Sequence, residues 1–311
     1  MKKMFYVLAV LCLTILLNGI GVAATIFVDQ TGAGNYTTIQ AAINNAANDD
    51  IIKVGPGIYR ESVNLNKAVQ LIGAGPNISF IDSTYNSEQP TNGIDVSVSS
   101  PVYISGFTIT SSGNGVNINI DSATCTVRNC IISGNTTGIY ANKLQCMINV
   151  INNTIVSNTN GLTIVGRWNS TVNIKGNIIA FNSGYGIAIW DVAADKRALA
   201  YNCVYQNPIG NYSGSASAGT SDITQDPKFI DNDTGNVVLA SASPGINTGM
   251  TGVAYNDPDG TRNDMGAYAG PDSVAFWPYG PNGPGVIELT VTPASVPKGG
   301  TITIRAKGYV R

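Results

Sequence analysis

The sequence predicts an all-β protein, a right-handed parallel β-helix, on three observations. A glycine followed by an aliphatic residue recurs at Gly93-Ile94, Gly115-Val116, Gly138-Ile139, Gly161-Leu162 and Gly186-Ile187, with successive spacings of 22, 23, 23 and 25. Between these pairs runs a second repeat, in which Asn or Gly introduces two aliphatics: Asn129-Cys130-Ile131-Ile132, Asn153-Thr154-Ile155-Val156 and Gly176-Asn177-Ile178-Ile179. The apolar residues fall in short β-branched runs broken by Gly and Asn, without the three- and four-residue spacing of a helix. A fixed period of this length marks one supersecondary unit stacked upon itself.

Taken in order, Met1-Lys2-Lys3, an apolar run to Leu17 and the small residues Gly21-Val22-Ala23-Ala24 read as a secretory signal peptide over residues 1–24, cleaved after Ala24. Thr25 to Val28 reads as a first strand. Thr37 and Gln40 have capping-box spacing, with Thr37 as N-cap of a short helix ending near Asn48. Its small apolar face, Ile39, Ile43, Ala46 and Ala47, is suited to plugging the open end of a solenoid. Brief strands follow from Ile51, with corners at Gly55-Pro56-Gly57 and Gly73-Ala74-Gly75-Pro76. Three short strands per coil, alternating between core and solvent, continue to about Tyr205. Asn recurs at the corners because it tolerates the left-handed region and bonds to nearby backbone. Asp226-Pro227-Lys228-Phe229 opens a less regular closing segment, so the β-helix domain spans residues 25–271. A Pro/Gly linker covers 272–286. The alternation in Glu288–Val291 and Thr301–Ile304 resembles the first two strands of an immunoglobulin-like domain. Such a sandwich needs about 100 residues, so 287–311 are expected to be its incomplete start.

Composition narrows the partners. Only 12% of residues are charged, and removing Lys2 and Lys3 with the signal takes the net charge from -2 to -4. No basic patch is present, which argues against nucleic acid. No stretch outside the signal is long enough to cross a bilayer, so a secreted or cell-surface location is expected. Cys130 and Cys203 recur at one point of the coil about 14 Å apart, three strand spacings, beyond disulfide reach. Cys125 and Cys146 lie on adjacent turns, where a disulfide is geometrically possible. Buried thiols packed as small hydrophobes are expected for all four.

Gly34-Asn35-Tyr36-Thr37-Thr38-Ile39-Gln40-Ala41-Ala42-Ile43, followed by Val54-Gly55-Pro56-Gly57-Ile58-Tyr59-Arg60-Glu61-Ser62-Val63, resembles the N-terminal part of pectinesterases. The coils resemble the wider pectin-lyase-like group. Asp226–Phe229, Ser243-Pro244-Gly245-Ile246-Asn247 and Asp257-Pro258-Asp259-Gly260 to Gly266-Ala267-Tyr268 resemble the closing segment of secreted bacterial and archaeal β-helix proteins. The resemblance covers roughly residues 25–271 and implies the scaffold and a polysaccharide ligand class. It carries over no catalytic residue. The glutamine-led, aspartate and Arg-Pro-Trp motifs of pectinesterases are missing, and Gly166-Arg167-Trp168 lacks the proline. The chain has no histidine, which removes the Gly-His-Gly element of polygalacturonases and the histidine of alginate epimerases.

Counting five or six residues on from the repeated glycines gives Asp121, Lys143, Arg167 and Asp191, which equivalent coil positions stack into an outer column flanked by Trp168 and Trp190. A second column holds Arg128, Asn152 and Lys175. Charged heads beside exposed aromatic faces suit a sugar chain, with Asp121, Asp191, Trp168 and Trp190 in binding roles. A lyase acting on uronic-acid polymers would need a base and a cation, for which Lys143 or Lys175 and Arg167 or Arg128 are the candidates. Asp121 and Asp191 are three coils apart, too far for a glycosidase pair. The same residues also describe a solvated face with weak cross-coil pairing. Asp257, Asp259 and Asp264 are closely spaced oxygen ligands suited to calcium, although the closing glutamate is absent and Asp-Gly turns are common. No cofactor is required. The leading expectation is a secreted domain that binds extracellular or cell-wall polysaccharide, with a lyase and an adhesive surface protein as its rivals.

Overall fold

The computed structural model describes residues 23–85, 90–166, 169–231 and 235–278, and the backbone of 285–292 and 303–309. Residues 1–22 of the expected signal over 1–24, Arg167 and Trp168 lie outside the described residues. What is described is a parallel β-solenoid with three sheets of eight, seven and seven strands, all pairings in them parallel. One coil consists of Thr124–Arg128, Ile131–Ser133 and Thr137–Ala141, one strand for each sheet.

Register explains the repeat. Val116, Ile139, Leu162 and Ile187 are direct partners on successive coils, and each is fully buried. In the first sheet Leu71, Ile104, Val127, Val150 and Ile174 form the same kind of stack. The glycines of the ruler are there because coils approach too closely for a side chain. A Cβ on Gly138 would stand 2.6 Å from the Gly161 carbonyl oxygen and 2.7 Å from a methyl of Ile155.

The paired aliphatics belong to the second sheet, whose two faces are both covered. Ile132, Ile155, Ile179 and Val204 enter the coil core. Their neighbours Ile131, Val156, Ile178 and Cys203 instead pack against Val237, Leu239, Met265, Ala267 and Tyr268 of the closing segment. A sheet buried on both faces has no use for polar alternation, so its strands read as apolar pairs.

Two columns of buried asparagine tie the corners together. In one, Asn135, Asn158, Asn182 and Asn207 each donate their backbone N–H and side-chain amide to the carbonyl oxygen of the next, ending on Asn211. In the other, Asn153, Asn177 and Asn202 do the same and end on Asp222. Each amide also donates to backbone carbonyls of the corner, as Asn158 does to Ile132 and Val156. Burial makes every one of these groups costly to leave unpaired.

The N-terminal helix spans Ile39–Asn45, and its N-cap is Thr38, one residue later than capping-box spacing predicts. Gln40 does not reach back; it bonds to Asn64 instead. The Glu61 carboxylate takes over, accepting the N–H groups of Ile39 and Gln40, while Lys67 donates to the carbonyls of Asn44 and Ala46 at the far end. Opposite charges thus complement both ends of the helix dipole. Phe229–Asp231 and Asn236–Leu239 pair antiparallel in the closing segment, as do Gly285–Thr292 and Thr303–Tyr309 beyond it.

Candidate functional site

The structure brings Asp121 against the next coil, where its carboxylate accepts the N–H of Leu144 at 2.9 Å, beside the half-buried Lys143. Asp191 is exposed in the left-handed region at φ 56°, next to Trp190, which is 43% exposed. Asp121, Lys143 and Asp191 follow strands Asn114–Ile118, Thr137–Ala141 and Tyr185–Trp190 of the third sheet, and Trp190 pairs in register with Val165 of the intervening coil. Asp121 therefore serves first as a corner cap.

The second column is corrected. Arg128 lies in register with Ile151 and Lys175, not with Asn152. Arg128 pairs with Asp272 at 2.5 Å and bonds to the Asn129 side chain. Asn152 is buried at a left-handed corner and donates to the Ala269 carbonyl. Both residues hold the last part of the closing segment, so Arg128 is not a free cation for catalysis. Residues 266–276 run back along this corner of the coil. Gly266 bonds to Gly176, Ala267 to Thr154, Ala267 and Ala269 to Asn129, and Tyr268 to Asn77. Phe276 packs at Gly75. The head of the expected linker thus lies against the coil.

The three aspartates proposed for calcium form a hydrogen-bonded knot. Asp257 accepts the N–H groups of Gly270 at 2.5 Å and Asp264 at 2.7 Å, Asp264 accepts that of Asn247, and Asp259 accepts both N–H and hydroxyl of Thr261. These bonds fix turn and strap geometry. Burial, aided by the neighbouring Asp264 and Asp259 charges, pushes the Asp257 carboxyl up to about 7, although its backbone donors pull the other way.

Beside this knot opens a cleft of about 780 Å³, a feature that sequence reasoning missed. Ile230, Val238, Ile246 and Trp277 give it apolar walls, and Asn247 and Asp259 add an amide and a carboxylate. Ile230 is 57% exposed. Trp277 was inside the expected linker, so nothing in the repeat drew attention to it. The available signal was an aromatic pair, Phe276-Trp277, directly after Val274-Ala275.

A parallel β-solenoid closed by a strapped C-terminal segment, with a cleft on that closure, defines the class as a pectin-lyase-like β-helix repeat protein. More particularly, the chain belongs to the NosD family, described as periplasmic copper-binding proteins, whose pattern matches residues 23–259. A cell surface glycoprotein of Methanothermus fervidus is 32% identical over 204 residues, which are 61% of this chain and 32% of that protein. The chain therefore spans about a third of this relative's length. Pectate lyase Pel9A overlays at a TM-score of 0.34 and 13% identity, covering 80% of this chain and 97% of the other. Carrot pectin methylesterase overlays at 0.27 and 13%, covering 67% and 86%. Overlays this loose carry no argument about site or chemistry.

The family description raises copper, and the donor set here does not fit it. Copper sites draw on imidazole, thiolate and thioether; the sequence holds no histidine, and of the described methionines Met250 and Met265 are buried in the fold while Met147 is 45% exposed. Cys125, Cys130, Cys146 and Cys203 are buried free thiols, as expected. Burial pushes Cys125, Cys130 and Cys203 up to about 12, which keeps them protonated and poor ligands. Cys130 and Cys203 donate to the carbonyls of Arg128 and Gln225. Among the described residues no three Asp, Glu or Cys side chains are grouped so as to hold a metal ion.

Proposed function

We propose that the chain is an exported, surface-displayed β-helix domain that binds polysaccharide in the cleft of its closing segment. The observation that carries this reading is the cleft itself, where Trp277 and aliphatic walls stand with the Asn247 amide and the Asp259 carboxylate. Sugar rings present apolar faces and equatorial hydroxyls, so an aromatic wall with a few polar side chains suits them. Periplasmic and cell surface, the words attached to the family and the relative, agree with export.

The charge of the cleft refines the ligand class. Asp259 and Asp264 line it, which repels a polyanion and favours a neutral sugar polymer. The expected outer column, of which Asp121, Lys143, Asp191 and Trp190 are among the described residues, is the competing face and would suit acidic chains. For the rival lyase reading, Arg128 is already paired with Asp272, and the other candidate cation, Arg167, lies outside the described residues.

Affinity electrophoresis in gels carrying a neutral β-glucan or polygalacturonate separates these faces. We expect retardation by the glucan, with affinity reduced about fivefold in Trp277→Ala, as loss of an aromatic contact costs about 1 kcal/mol, and reduced also in Asp259→Asn. Retardation by polygalacturonate that disappears in Trp168→Ala with Trp190→Ala would move the site to the column. Equal mobility in both gels would remove polysaccharide binding.

A further inference from the structure

The sequence carries the tripeptide Asn-x-Ser/Thr at Asn35, Asn77, Asn135, Asn152, Asn169, Asn211 and Asn232. This pattern is the acceptor for N-linked glycan in exported proteins. In a chain so rich in Asn, Ser and Thr the pattern arises readily by chance, so the tripeptide alone selects nothing. The structure sorts those among its described residues.

Asn135 and Asn152 are 3% and 1% exposed. The Asn135 amide donates to Asn158 within the asparagine column, and that of Asn152 donates to Ala269 under the strap. A glycan on either nitrogen would have no room, and folding would be lost. The Asn77 amide donates to the Tyr268 hydroxyl at 2.7 Å, and its partner Ser79 is fully buried with the hydroxyl on Val54 and Gly55. Asn211 is half-buried at the end of the asparagine column, where its carbonyl oxygen receives both donors of Asn207.

Asn35 and Asn169 differ from all of these. Asn35 is exposed in the loop after the first strand, and its carbonyl oxygen accepts the Phe27 N–H at 2.8 Å while the amide nitrogen makes no hydrogen bond. Thr37 is exposed two residues on. Asn169 is exposed at a turn with φ 75°, its side chain without a hydrogen-bond partner, and Thr171 is part-exposed at the start of the next strand. Only at these two positions, among those described, does an exposed asparagine keep its amide nitrogen unused, with the hydroxyl residue also reachable.

We propose that Asn35 and Asn169 are N-glycosylation sites and that the buried tripeptides stay unmodified. The donor is a saccharide linked through phosphate to a membrane lipid. The Asn Nδ2 forms a bond to the anomeric carbon as the bond from that carbon to phosphate oxygen breaks. The lipid phosphate leaves with the electron pair, and the amide proton passes to a base of the transferase. Neither Asn35 nor Asn169 is among the residues that line the cleft. A glycan on Asn169 stands one residue from Trp168, which would screen the outer column.

The inference rests on the surface reading, and one experiment separates them. The protein is recovered from the surface and intracellular fractions of the cells that make it, and its proteolytic peptides are weighed. We expect surface protein with a saccharide mass on the Asn35 and Asn169 peptides, and unmodified peptides at Asn77, Asn135 and Asn152. Asn35→Gln and Asn169→Gln should each remove one saccharide, as should Thr37→Ala and Thr171→Ala, with unchanged unfolding temperatures showing that the variants fold. Surface protein bare at both sites would overturn the glycan assignment alone, as would saccharide on Asn135 or Asn152, or a mass that survives the threonine changes. Protein found solely inside the cell would overturn the surface reading and the assignment with it.

Discussion

Asn158 shows how one side chain carries each coil to the next. Its carbonyl oxygen receives two donors from Asn135, and its amide serves Ile132, Val156 and Asn182. Asn158→Ala strands buried groups on both sides, each costing about 1–3 kcal/mol. A loss of about 3 kcal/mol or more in urea unfolding is expected, against under about 1 kcal/mol for Asn173→Ala, whose amide bonds Asn149 on the outer, half-buried face. Equal losses would mean that the column is not what secures the corners. Asp257 gives a pH signature. Its carboxyl is raised to about 7 by burial, from 3.8 in the unfolded chain. The folded protein then holds the extra proton, so this contribution is full at low pH and declines as pH rises from about 4 to about 7. Thermal unfolding of Asp257→Asn should lack that part of the slope, and an unaltered slope would assign it elsewhere.

At the scale of elements, the strap over residues 266–276 is held by a few side chains distant in sequence. Asn129 serves two of its carbonyls, while Arg128 and Asp272 add a part-exposed pair. Asn129→Ala should cost about 2 kcal/mol, and Asp272→Asn under about 1 kcal/mol. Hydrogen exchange should quicken at 266–276 in Asn129→Ala while the coil strands stay protected. Uniform quickening would show that strap and coil open as one unit. This contrast also explains what the sequence discloses. The glycine ruler and aliphatic pairs repeat because every coil meets the same neighbours, so Ile139 and Ile155 announce their burial several times over. Asn129 stands within the second repeat, but its bonds to Ala267 and Ala269, the bond of Asn77 to Tyr268 and the place of Trp277 in the cleft each occur once, and no period reveals them. The helix cap differs from its local spacing for a related reason: Glu61, distant in sequence, supplies the side-chain acceptor that the spacing assigns to Gln40.

As a whole molecule, the chain is a scaffold of repeated coils with its irregular chemistry gathered on the closing segment. The coils supply rigidity, and the closure supplies the cleft, the strap and the aspartate knot. The family match and the missing copper donors belong together at this scale, because a shared solenoid does not transfer a site. The central claim is that sugar binding resides on the closure rather than on the coil face. Hydrogen exchange of the folded protein with and without the neutral β-glucan tests it most directly. Added protection confined to about residues 229–278 is the predicted result. Protection at Asp121, Lys143 and Trp190, or none anywhere, would contradict it.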